Sequence, residues 1–268
     1  MCGNGTDRDA KRFALFSGGY DSLVSTHRAM ENGDADAVIH LDTSTGLPAN
    51  EQFVRDVCEE FGWELYILPP TLTLKEFALR YGFPKAGSHS WAFRYFKAHA
   101  LGRFTTKLGH RPEFITGVYR HESDRRFRHV ESRIQERDRW NYRSDVWNWR
   151  PHQFEDYRQD HGLPENQVAE DLGRSGDCFC WAYESRDSGI IELRSNGYDD
   201  HAEFLLDIES EVQDEIGTAE DYCWIGSQGM SSAELRSKKA KADPEQTDLF
   251  GCGGCDGRQI CDRAEASP

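Results

Sequence analysis

The chain has 268 residues, a formal net charge of −15 and 29% charged side chains. That is long enough for one α/β core with an appendage, and no apolar run approaches the length a membrane helix needs. Residues 1–7 lack the apolar core of a secretory signal, so a cytoplasmic protein with no membrane partner is expected; arginine outnumbers lysine, and the acidic, lysine-poor composition fits solubility at high salt and a halophilic source.

In chain order, the apolar run 13–16 reads as a short buried strand. It leads into Ser17-Gly18-Gly19-Tyr20-Asp21-Ser22, and 21–32 continues as a helix. Two glycines at a strand-to-helix turn let the backbone close on a ligand, and the unpaired amides of a helix N-terminus suit an anion. The hydroxyls of Ser17 and Ser22 add donors, and Asp21 is placed to hold a metal ion bridging phosphate oxygens. The phosphate loop of the GxxxxGKS or GxxxxGKT type occurs nowhere in the chain.

Further strands are expected at 37–41, 64–68 and 113–116, with helices at 50–62, 74–81 and 90–108. This alternation implies βαβ units and an α/β fold with a parallel sheet covered on both faces. In such sheets ligands bind beyond the carboxyl ends of the strands. Asp42 and Gly117, like Ser17, each follow a predicted strand, so three loops are expected to meet at one crevice. Residues 120–150 are rich in arginine and carry Trp140, Tyr142, Trp147 and Trp149. Phosphate contacts are expected for Arg120 and for one of Arg125 or Arg126, and solvated ion pairs for most of the others. The same mixture of arginines and aromatics fits contact with a single-stranded nucleic acid as a lesser reading. A helical pair broken at 162–164 is expected over 152–172, another helix over 202–216, and a polar linker over 227–247. The division is a nucleotide-binding domain at 1–165 and a helical, cysteine-rich region at 166–268.

Eight cysteines point to metal or redox chemistry rather than to disulfides. Cys58 falls in a predicted helix and reads as core, and Cys2 receives no role. The other six lie between 178 and 261. Cys252-Gly253-Gly254-Cys255 sets two sulfurs on one tight turn, Cys261 follows closely, and Cys178 and Cys180 can add thiolates, with Cys223 as a sixth candidate. All-sulfur ligation suits either an iron–sulfur cluster or structural zinc.

Ser17-Gly18-Gly19-Tyr20-Asp21-Ser22 resembles the pyrophosphate loop of the N-type ATP pyrophosphatases, the PP-loop superfamily. From about residue 12 to about residue 182 the chain looks like their phosphoadenosine phosphosulfate (PAPS) reductase branch. Leu41-Asp42-Thr43-Ser44-Thr45-Gly46-Leu47-Pro48 is similar to that branch's Asp-Thr-Gly-like turn. Gly117-Val118-Tyr119-Arg120-His121-Glu122-Ser123, with Arg125 and Arg126, resembles its Gly-x-Arg-x-x-Glu-Ser-x-Arg-Arg stretch, with Tyr119 where the pattern has arginine. Gly87-Ser88-His89-Ser90-Trp91 with Lys97 looks like another shared segment, whereas many relatives carry cysteine in place of Ala92. The Glu-Cys-Gly-Leu-His segment of thioredoxin-linked PAPS reductases is missing from the sequence.

The resemblance implies an adenine nucleotide alpha-hydrolase-like, Rossmann-like sheet that binds ATP or PAPS with Mg²⁺. Ser17, Gly18, Gly19 and Ser22 would cradle the phosphates, with Asp42, Gly117, Lys97, Arg125 and Arg126 bordering the nucleotide and Asp21 and Arg120 catalytic. It also tilts the metal towards a [4Fe–4S] cluster on Cys178, Cys180, Cys252, Cys255 and Cys261, with zinc as the alternative. The implied activity is ATP-pyrophosphatase-type activation of an acceptor followed by sulfur transfer. True PAPS reduction with a thiol or electron donor is the runner-up. A non-catalytic module that binds nucleic acid or a partner is the alternative outside enzymes.

Overall fold

The computed structural model describes residues 11–84, 92–122, 133–179 and 186–216. Six strands form one sheet in the order β3-β2-β1-β4-β6-β5: β1 Arg12–Leu15, β2 Ala37–Leu41, β3 Leu65–Leu68, β4 Glu113–Ile115, β5 Ile134–Glu136 and β6 Asn141–Arg143. β1 is central, with Phe13 paired to Ala37 on one side and to Phe114 on the other. All pairings are parallel except β5 with β6. The expected α/β fold with a parallel sheet is therefore present, closed at one edge by a short antiparallel hairpin. The chain reverses direction across the sheet between β2 and β4 on either side of β1, which is where an open α/β sheet leaves its crevice.

The helices are α1 Tyr20–Glu31, α2 Pro48–Glu60, α3 Leu74–Tyr81, α4 His99–Leu108, α5 Pro151–His161, α6 Gln167–Leu172, α7 Arg186–Ser195 and α8 Asp199–Ile216. α1, α2 and α5 cover one face of the sheet, burying Leu23, Val24, Val54, Val57 and Phe154 against Phe16 and Val38. On the other face Leu101 of α4 packs with Phe13, Phe114, Trp140 and Tyr142. A third cluster gathers Phe77 and Tyr81 of α3 with Leu193 of α7 and Leu205 and Val212 of α8, and Leu47 and Phe179 join it. α2 begins at Pro48 rather than at residue 50, because proline is pre-set for the first helical position and lacks only an amide the helix does not use. The helix expected over 90–108 has a π-helical turn at Arg94–Ala98 before α4. α3 is started by a capping box in which Thr73 and Glu76 exchange hydrogen bonds.

The arginine-rich stretch is built differently from the solvated ion pairs expected. It contains β5 and β6, and Arg143 at the end of β6 is only 13% exposed while bonding Asp145 at 2.7 Å and Glu113 at 2.7 Å. Those carboxylates hold its guanidinium further into the charged form, against a desolvation that opposes them. Arg143 thus fastens β6 to β4 as well as to the loop that follows it. Arg139 likewise donates to Gly102 O of α4 at 2.7 Å.

Candidate nucleotide site

The loop after β1 is shaped before any ligand arrives. Ser22 Oγ donates to Gly19 O at 2.7 Å, accepts from Ser17 N at 3.2 Å and lies 3.0 Å from Ser17 Oγ. With the Ser22 proton on Gly19 O, the Ser17 hydroxyl is the donor of that pair. Gly18 has φ +91, and a Cβ there would fall 2.0 Å from Asn50 Oδ1, so both the backbone and the space require glycine. Asn50 Nδ2 donates to Ser17 O at 2.9 Å, and Asn166 Nδ2 donates to Gly18 O and to Asn50 Oδ1, each at 2.8 Å. Two buried asparagines therefore hold the loop's carbonyls from behind. α1 has Gly19 at its N-cap and no side-chain cap, as an anion-binding helix end requires. Asp21 is half-buried in its first turn.

Tyr20, the variable position of the loop, is fastened to the same neighbours. Its hydroxyl bonds the Glu170 carboxylate, and the Arg158 guanidinium lies 3.6 Å from the ring centroid. Burial, then the hydrogen bond to Glu170, raises the Tyr20 hydroxyl's pKa well above its ordinary value, so the phenol is a proton donor here.

Gly117 brings the second loop to the first. A Cβ on it would lie 2.5 Å from Asp21 O and 2.8 Å from Ser22 N, so the turn after β4 and the first turn of α1 are in backbone contact. Arg120 follows, half-buried, its amide donating to Trp147 O at 3.0 Å. His121 has a pKa held below the usual imidazole value by desolvation first and by Arg150 and Arg120 next. Three cationic or potentially cationic side chains thus gather after β4. Arg150 had no distinguishing mark in the sequence; it lies far along the chain and is brought back by β6 and the turns after it.

The third loop, residues 42–47, folds against residues 175–179 more than towards the crevice. Thr43 Oγ1 donates to Asp177 O at 2.6 Å, Leu47 N to Gly176 O at 2.9 Å, and Phe179 N to Thr45 Oγ1 at 2.9 Å. Asp42 Oδ1 accepts from Ser44 N at 2.7 Å, in a turn where Ser44 has φ +60. Lys97 lies beneath this segment. Its Nζ is 2.5 Å from Asp177 Oδ2, with 11% and 6% of the two side chains exposed, while Ser175 Oγ donates to Asp177 Oδ1 at 2.7 Å. His40 Nδ1 donates to Phe16 O at 2.8 Å, and burial holds that imidazole neutral. Nothing local in the sequence marks Asp177 or Asn166; His40, a polar residue inside an apolar strand beside a motif, is the one signal that could have been followed.

Of the expected cysteine ligands, Cys178 is buried, with Thr45 Oγ1 donating to its sulfur at 3.7 Å. Cys180, Cys252, Cys255 and Cys261 lie outside the described residues, as do Arg125 and Arg126. No group of three or more His, Cys, Asp or Glu side chains converges on a metal position among the described residues. Cys58 is core: 2% exposed, its thiol pushed up to about 12 by burial. No helix among the described residues is long and apolar enough to cross a membrane.

A structure of phosphoadenylyl-sulfate (PAPS) reductase from Candida auris, a phosphate complex, matches with 20% identity over 61% of this chain and 78% of that one, at a TM-score of 0.47. No curated protein matches the chain. The model of the phosphoadenosine phosphosulfate reductase domain matches residues 11–177, which takes in every loop described above from Ser17 to Asp177. On that match the chain belongs to the phosphoadenosine phosphosulfate reductase family.

Proposed function

We propose that the chain is an enzyme that binds an adenine nucleotide with its phosphates over residues 17–22, and that it activates an acceptor with ATP for sulfur transfer. The observation that carries this is the contact of Gly117 with Asp21, which joins the uncapped N-terminus of α1 to the cationic turn after β4. Amides on one side and guanidinium groups on the other suit a polyphosphate. In this reading the acceptor oxygen attacks the α-phosphorus, pyrophosphate leaves, and a hydrosulfide donor then displaces AMP as the bond to sulfur forms. Arg120 stabilises charge gathering on phosphate, and the loop amides hold the phosphates in line. One carboxylate, Asp21, with phosphate oxygens and water is the donor set that Mg²⁺ ordinarily uses, and Mg²⁺ bound there would neutralise phosphate charge.

The family match favours a second reading, reduction of PAPS. There a thiolate attacks the sulfate sulfur, the sulfur–oxygen bond to phosphate breaks, and a second thiol releases sulfite with formation of a disulfide. Supplying the full chain with Mg²⁺ and either ATP or PAPS distinguishes the two: AMP and pyrophosphate from ATP support the first, sulfite from PAPS the second. In either case Asp21→Asn is expected to abolish turnover with the fold retained, and unchanged turnover removes Asp21 from the mechanism.

A [4Fe–4S] cluster held by four of Cys178, Cys180, Cys252, Cys255 and Cys261 is proposed as well, and it would supply redox capacity to the C-terminal region. The hydroxyl that Thr45 directs at Cys178 suits a ligating thiolate. Cys252→Ser should lower iron and sulfide together in anaerobically purified protein, and Cys58→Ser should leave both unchanged. Stoichiometric zinc without iron or sulfide overturns the cluster.

A further inference from the structure

A cavity of 770 Å³ opens beyond the carboxyl end of β2, a volume within the range of small-molecule sites. Residues 17–22 do not line it. One wall is the loop after β2 with the first turns of α2; the other is the start of α8, which lies beyond the family-matched segment.

The chemistry of the wall is one-sided. Asp177 is offset by Lys97, and Glu51 by Arg55, whose Nη2 lies 2.7 Å from its carboxylate. Asp42 and Asp200 also face the cavity, and neither has a cationic partner among the described residues. His40 and His201 line it too, 4% and 6% exposed. Each spends one ring N–H on a backbone carbonyl, His40 on Phe16 O at 2.8 Å and His201 on Thr45 O at 3.0 Å. The second nitrogen of each neutral ring is then a lone pair, and it has no hydrogen-bond partner among the described residues. Neither nitrogen is sealed from the cavity, so each meets whatever occupies it, water or a ligand's donor. Among the described residues no three His, Cys, Asp or Glu side chains converge on a metal position. Phe204, a large apolar side chain 44% exposed, and Tyr198 add aromatic surface at the same wall.

We infer that this cavity binds a small organic amine, its ammonium on Asp42 and Asp200 and its apolar or aromatic body on Phe204 and Tyr198. Two uncompensated carboxylates repel phosphate, so the site is separate from the phosphate loop and takes a different molecule. His40 ties the cavity floor to Phe16, the residue before that loop, which sets the amine beside the nucleotide as an acceptor would stand. That last role rests on the proposed function; the binding of the amine does not.

The test uses the full-length protein at neutral pH and three molecules with one aromatic body: tyramine, para-ethylphenol and para-hydroxyphenylacetate. Calorimetry should find tyramine bound about tenfold or more tightly than the neutral phenol, since a charged hydrogen bond is lost, with the carboxylate weaker still. Asp200→Asn should weaken tyramine about tenfold, and Phe204→Ala about three- to fivefold through the lost ring contact. Both positions are exposed, so the fold should survive, and the affinity for inorganic pyrophosphate should not change. Equal binding of all three molecules, no tyramine binding at millimolar concentration, or full displacement of tyramine by adenosine overturns the inference. In the wild type, pyrophosphate bound without tyramine overturns the inference alone, and tyramine bound without pyrophosphate overturns the proposed function alone.

Discussion

The carboxyl edge of the sheet presents two regions of opposite character. Around β1 and β4 the polar groups are donors: the uncapped amides that open α1 and the cations after Gly117. Around β2 they are acceptors: two carboxylates without cationic partners and two imidazole lone pairs. β1 and β2 are neighbours and each runs through a loop into a helix, so backbone topology does not account for the difference. Side-chain identity at a few positions sets the sign of the local field, and that sign decides which part of a reaction each pocket can hold.

The largest expected effect breaks the partition between the two regions. Lys97 and Asp177 lie beneath the loop after β2, and Lys97→Met would strand a carboxylate that is 6% exposed. Removing one partner of such a pair costs about 3–5 kcal/mol, to be read from denaturant unfolding. A loss below about 1 kcal/mol would mean the pair behaves as a solvated surface bridge.

Next is the joint between the loops. Gly117→Ala puts a methyl group 2.5 Å from Asp21 O, a backbone atom that cannot yield as a side chain could. Overpacking of this kind costs about 1–3 kcal/mol, and the more telling readout is nucleotide affinity, which should fall steeply as α1 is pushed away. Gly109→Ala is the control: φ is +71 there and nothing lies within 4 Å, so it should cost about 1–2 kcal/mol of stability and leave nucleotide binding intact.

The donor region can be weakened without touching the loop. Arg150→Ala should loosen nucleotide binding about tenfold if its guanidinium contributes a charged hydrogen bond to phosphate. The same variant should raise the pKa of His121, followed by NMR titration, because one of the charges depressing it is gone. An unmoved His121 would place Arg150 away from the crevice.

The smallest effect sharpens the acceptor side. Burial lowers the pKa of both His40 and His201 below the ordinary imidazole value, so the unfolded chain binds more protons than the folded one. Their contribution is complete above the unfolded value, about 6.5, and is lost as pH falls below it. Thermal stability should therefore decline between neutral and mildly acidic pH, less steeply in His201→Gln than in the wild type. Identical slopes would mean His201 is accessible to protons when folded.

Much of the donor region was legible in advance. Ser17-Gly18-Gly19-Tyr20-Asp21-Ser22 after an apolar run, with Asp42 and Gly117 after two more, is a local pattern, and strand, turn and helix propensities act over a few residues. The hairpin of β5 and β6 was not legible, since its strands have three residues each and Ile134 and Glu136 are exposed, leaving no alternation to read. α7 went unanticipated for a related reason: Gly189 stands in its first turn, and Ile191 is 64% exposed. Arg143 was expected among solvated ion pairs and is instead nearly buried, because the edge strand carrying it was not foreseen.

By itself the sequence determined the α/β class and the family, both of which depend on residues close together in the chain. Only the tertiary structure decided that Asn166 braces Gly18, that Asp177 receives Lys97, and that α8 walls a cavity opposite Asp42. Those partners are 148, 80 and more than 150 residues apart. Contacts across such separations are set by how whole faces pack, and a single sequence carries no local signal for them.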